Sequence, residues 1–165
     1  MKKSYSPWLE ILIVVLAGVL IWLLGYPQYE ENIEINKRYQ VRVNMHTLRA
    51  AIENYAAYNK GKFPRSSEEF KEFFSTPSNP YSNKSINPKD IIIFQFDSKE
   101  EPKEQSPDSK NGRIRGTAGG LAYGYFIAEE DSFPSAYGIL GFDTQGRPLA
   151  EKLPSGETKV FVLYE

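Results

Sequence analysis

Ile11-Leu-Ile-Val-Val-Leu-Ala-Gly-Val-Leu-Ile-Trp-Leu-Leu-Gly25 contains no polar side chain. Adding Trp8 and Leu9 on one side and Tyr26 on the other gives about 19 residues interrupted only by Glu10, or about 28 Å as a helix, close to the hydrocarbon thickness of a bilayer. Met1-Lys2-Lys3-Ser4-Tyr5 precedes it as a short basic leader. A secretory signal would start in the same way, but no small-x-small cleavage pattern follows the apolar run, so the sequence predicts an uncleaved membrane helix.

Counting cations does not orient that helix. Lys2 and Lys3 stand on the short side, and Lys37, Arg38 and Arg42 follow on the other. The first charges after the run are Glu30, Glu31 and Glu34, which are consistent with an outside location. Glu10 has two readings. Either it sits at the membrane interface and reaches water, or it awaits a cationic partner in an assembly.

Beyond Pro27 the pattern stays helical. Val41, Met45, Leu48, Ile52, Tyr55 and Asn59 recur at alternating spacings of three and four, and Ala51 and Tyr58 widen the stripe. No Gly or Pro occurs from Gln28 to Lys60, and Gly61 and then Pro64 supply a stop. The spacing predicts one helix from about Trp8 to about Lys60, its second half packed on a domain. His46 reads as a surface or half-buried side chain, since no metal motif surrounds it.

Downstream, Ser66 is read as the cap of a short helix whose apolar side is Phe70, Phe73 and Phe74. Ser75 to Pro88 reads as a loop and Ile91–Phe96 as a strand. Asp97 to Arg113 holds nine charged residues in 17 and no aliphatic or aromatic one, so it is expected to be a solvated loop of little weight in folding. Leu121–Ala128, Ala136–Phe142 and Thr158–Tyr164 read as three strands of an antiparallel meander. Gly119-Gly120 lacks the following helix of a phosphate loop.

Composition narrows the function. The 165 residues carry 20 Lys+Arg, 21 Asp+Glu, one His and no Cys. Disulfides, thiol catalysis, Cys-based zinc sites and multi-histidine metal sites are excluded. A net charge of −1 gives no footprint for a nucleic-acid partner. No nucleophile or metal motif appears, so no enzyme is expected.

Ser6-Pro-Trp-Leu-Glu-Ile-Leu-Ile-Val-Val15 resembles the start of mature type IV pilins and type II secretion pseudopilins, where a basic leader precedes an apolar helix with Glu at its fifth residue. Counted from Ser6, Glu10 takes that place, and Pro27 and Tyr29 fall where the family commonly has Pro and Tyr. Asn44–Tyr55 and Gly61-Lys-Phe-Pro64 resemble the end of the long helix and the turn after it in major pseudopilins, and Asn79-Pro80-Tyr81 resembles their Asn-Pro-Tyr loop. The resemblance is specific over residues 6–64 and architectural beyond.

It implies an α+β, pilin-like fold: a leader at 1–5, a membrane segment at 6–27, an amphipathic half-helix at 28–60, and a head at 61–165 carrying an antiparallel sheet. It implies a structural subunit of a type IV filament, DNA-uptake apparatus or type II secretion assembly. Such a subunit is anchored in the inner or cytoplasmic membrane by a single pass with its C-terminal domain outside. Its partners are other pilin-like subunits and a prepilin peptidase acting at the Tyr5–Ser6 junction, followed by N-terminal methylation. Tyr5, however, stands where the family has Gly, and Pro7 is unusual at the second place. These departures imply the alternative, an uncleaved membrane-anchored binding module that does not polymerise. Some pseudopilins bind calcium in a C-terminal loop; Asp143 has no calcium-ligand spacing around it, so no cofactor is expected.

Overall fold

A computed structural model of the chain describes residues 7–165. The long helix is present: α1 runs Pro7–Tyr58 with Pro27 inside it. Its end is a Schellman-type cap in which the Gly61 amide reaches back to Ala56 O at 2.8 Å. The left-handed step is taken first by Lys60 (φ 59°) and continued by Gly61 (φ 82°). The chain divides into two compact units, Met1–Asn36 and Lys37–Glu165.

In the second unit Val41, Met45, Leu48, Ala51 and Ile52 are fully or almost fully buried. Tyr55 is half-buried, while Tyr58 is exposed and stacks on Phe73 at 5.3 Å between ring centres. α2 is a single turn, Ser67–Phe70. Ser66 precedes it as expected but makes no side-chain cap; instead the Glu69 carboxylate accepts the Arg65 amide at 3.0 Å.

The main sheet contains β1 (Ile92–Gln95), β2 (Leu121–Phe126), β3 (Ala136–Gly141) and β6 (Leu163–Tyr164), in the order β1-β2-β3-β6. β4 (Ala150–Lys152) and β5 (Thr158–Val160) form a separate antiparallel pair. Two expectations are corrected here. The sheet is mixed rather than antiparallel, because β1 runs parallel to β2. About 25 residues separate those strands, enough for the chain to travel back and re-enter in the same direction. Thr158–Tyr164 is not one strand. Phe161 donates its amide to Leu149 O, and the chain then crosses from the β4–β5 pair to the main sheet.

Alternation sorts the strands onto two faces. Leu121, Tyr123 and Ile139 pack with Val41, Met45, Leu48 and Ile52 of α1. A Cβ on Gly141 would lie 2.5 Å from Val41 Cγ1 and 2.9 Å from Met45 Sδ, so glycine is what lets the helix seat on β3. On the other face Ala122, Leu140, Phe142, Val160 and Val162 form a second cluster. There Gly124 stands opposite Gly138, and the Phe96 ring covers both.

The Asp97–Arg113 segment covers part of that second face, which corrects its reading as a free loop. Pro102 is buried, with its Cα 3.5 Å from where a Gly138 Cβ would lie. The segment includes α3 (Lys110–Arg113), capped by Ser109. Asn111 is fully buried and its amide donates to Glu101 O and Glu104 O, both at 2.9 Å. Gln105 O in turn accepts the Val160 amide at 2.7 Å. The charges point outward, Lys110 pairing with Asp97 at 2.8 Å.

Burying Leu48 contributes about 1.5–3 kcal/mol, and a carboxylate there has no partner. Leu48→Asp in a fragment starting at Gln28 is expected to abolish cooperative thermal unfolding; a melt matching the parent contradicts the packing. Asn111→Ala removes the side-chain donor to the Glu104 carbonyl and should cost about 1–3 kcal/mol. Chemical denaturation measures it, and an unchanged midpoint would return the segment to the status of a passive loop.

Candidate functional site

Glu10 lies in the first described turn of α1. Around it the surface is apolar and uncovered: Trp8, Val14, Ile21 and Leu24 are 78, 71, 74 and 68% exposed. The most apolar 18-residue window has a mean hydropathy of 2.5 and no buried residue. The helix is therefore long and apolar enough to cross a membrane, as an anchor or a signal sequence. Trp8 and Tyr26 lie about 27 Å apart along it, the spacing of two interfacial aromatic belts. Along the helix axis Glu10 stands only about 3 Å from Trp8. Among the described residues Glu10 has no hydrogen-bond or ion-pair partner.

The other positions singled out in the sequence are distributed along the fold. Pro27 lies within α1, and Tyr29 is exposed. Gly61 belongs to the helix stop. Pro64 is buried and its carbonyl accepts the Tyr123 hydroxyl at 2.8 Å. Pro80 is half-buried beside Asn79. Tyr5 and Ser6 lie outside the described residues. His46 is exposed, as its surroundings in sequence imply.

Asn79 is a structural junction. Its Oδ1 accepts the amides of Tyr81 and Ser82, and its Nδ2 donates to Ala118 O at 2.8 Å. The Asn79–Lys84 turn is thereby pinned to the segment entering β2. A Cβ on Gly119 (φ 69°) would lie 2.4 Å from Asn79 Oδ1, so glycine is required opposite it. The depression beside this turn is lined by Tyr81, Lys84, Asp90 and Thr117, and Asp90 is already engaged by the Asn87 amide.

Asn44 was not singled out from the sequence. It is fully buried and donates to Ser78 O at 2.9 Å, tying α1 to the Asn79 turn. Its signal was present, a polar residue on the apolar stripe between Val41 and Met45. Of the cations weighed for membrane topology, Lys37, Arg38 and Arg42 are occupied in the domain. Arg38 donates to Ala150 O at 2.6 Å, Arg42 pairs with Glu151 and lies over the Phe161 ring, and Lys37 lies over Tyr81.

Burial pushes the Tyr123 and Tyr137 phenols up, with the Glu53 carboxylate adding to the effect at Tyr137. Both stay protonated near neutral pH and serve as donors, Tyr137 to Glu53 Oε1 at 3.2 Å with Glu165 Oε2 at 3.3 Å. Asp143 accepts the amides of Gln145 and Arg147 on one oxygen and the Arg147 guanidinium on the other, so its carboxylate organises a turn. No group of three metal-ligating side chains occurs among the described residues.

No protein-family model matches the chain, and no curated protein or solved structure is significantly similar to it.

Proposed function

We propose that this chain is a pilin-like structural subunit of a type IV filament or type II secretion-type assembly, held in the cytoplasmic membrane until it is incorporated. The reading rests on one observation: the uncovered apolar stretch of α1 from Pro7 to Tyr26 carries a single carboxylate, Glu10, while the later part of the same helix is packed on a sheet. An apolar helix surface of this kind is satisfied equally by lipid tails and by the same surface of neighbouring copies, so transfer from membrane to filament core exchanges one apolar contact for another. Glu10 supplies what apolar contacts lack, a register. In a helix bundle it pairs with a cation of an adjacent subunit, a free N-terminal amine if the leader is cut at Tyr5–Ser6.

Tyr5 in the place of the family's Gly favours a second reading, in which the leader stays on and the protein is a permanent anchor for its outer domain. The two part at Glu10. In an assembly, losing it leaves a cation unpaired in an apolar core, a cost of about 3–5 kcal/mol. In a lone anchor the carboxylate is only an insertion penalty. Glu10→Leu is expected to leave membrane levels normal and to abolish incorporation into oligomers, read by cross-linking in the native host at matched expression. Equal oligomer ladders in both proteins would remove the assembly role of Glu10, and no ladder in either would support the anchor.

A further inference from the structure

Asn111-Gly112 is the one Asn-Gly pair in the chain. The fold asks for each member. Asn111 is fully buried, and its Nδ2 donates to Glu101 O and Glu104 O at 2.9 Å, with Pro102 O at 3.4 Å. A Cβ at position 112 would overlap the Pro107 carbonyl, so only glycine fits there. Packing therefore sets an amide side chain beside a backbone nitrogen that no side chain shields. That combination is chemically unstable. The Gly112 nitrogen can lose its proton and attack Asn111 Cγ. A C–N bond forms, the Cγ–Nδ2 bond breaks, and Nδ2 takes up a proton and leaves as ammonia. Water then opens the five-membered imide at either carbonyl, giving aspartate or isoaspartate. The net change is amide plus water to acid plus ammonia, with nothing oxidised or reduced.

The folded segment holds the reaction back at three atoms. The Gly112 amide donates to Ser109 Oγ at 3.4 Å, and Ser109 Oγ is itself anchored on Ser106 O at 2.6 Å. Nδ2, the leaving group, is tethered by carbonyls. Oδ1, where negative charge develops during attack, is buried with no hydrogen-bond donor among the described residues. We propose that Asn111-Gly112 is a deamidation site guarded by the fold, and that reaction there releases the Glu101–Arg113 segment irreversibly. Conversion takes place in copies whose segment has opened. The product cannot close again, because a carboxylate brings no N–H to the three carbonyls and sets its charge against their oxygens. The segment then lifts from its anchor. Pro102 no longer covers the sheet at Gly138, and Gln105 no longer accepts the Val160 amide. The site thus records how long each copy has spent open. It does not depend on whether the chain assembles or remains an anchor.

The full-length chain in detergent is incubated in mildly alkaline buffer with and without denaturant, and conversion at position 111 is followed by peptide mass. Native Asn111 should convert about tenfold or more slowly than the same residue in denaturant. Ser109→Ala removes the hydroxyl that meets the Gly112 amide. It should raise the native rate about threefold or more and leave the denatured rate unchanged. Equal native and denatured rates, or a native rate unmoved by Ser109→Ala, overturn the proposal. Release is read separately by brief trypsin treatment of full-length Asn111→Asp. Its first cuts should fall between Lys99 and Arg115 and appear about tenfold faster than in the parent. Cuts spread through the whole domain, or cutting no faster than in the parent, overturn a local release.

Discussion

The Val41–Met45–Leu48–Ile52 stripe lies against Leu121, Tyr123 and Ile139, with Gly141 removing the Cβ that would hold helix and strand apart. The rest of the domain is arranged around that seat. Phe70 and Phe74 close one flank of the same cluster. The β4–β5 pair is fastened to the helix by Arg38 and Arg42 through a backbone carbonyl and Glu151. A sheet whose outermost strands are four and two residues long would be marginal alone; one face buried by a long helix makes it stable.

Three buried asparagines then fix what the helix and sheet leave loose. Asn44 ties α1 to the turn at Ser78, Asn79 ties that turn to the entry of β2, and Asn111 gathers the carbonyls of the charged segment over the second face. Each replaces water for main-chain carbonyls that lie outside regular ladders, a role suited to a side-chain amide with two N–H donors.

Local patterns in the sequence carried the helix, its packing stripe and the positions of β1, β2 and β3, because apolar periodicity survives without knowledge of the fold. Long-range arrangement was less legible. The parallel pairing of β1 was signalled only by the length of the connection to β2. The break at Phe161 falls within an apolar run whose local preference is uniformly extended. The Asp97–Arg113 segment looked solvated because its charges do face water; its anchoring rests on Pro102 and Asn111, and on Phe96 lying over a glycine pair, none of which registers as hydrophobic content within the segment. At the candidate site Glu10 stood out, since a lone carboxylate in an apolar run is conspicuous. Asn44 did not, because a single polar residue does not disturb the period of a stripe.

One helix thus presents two surfaces suited to different solvents, an uncovered apolar half and a half buried on a sheet. The central claim is that the first half lies in the membrane with the domain outside the cytoplasm. Single cysteines placed from Leu12 to Tyr39 in the full-length chain, labelled in intact cells with a membrane-impermeant maleimide, test it most directly. Positions Leu12 to Leu24 should remain unlabelled, and labelling should begin near Tyr29 and persist through Tyr39. Labelling within Val14–Leu23, or a mature protein released without that segment, would contradict it.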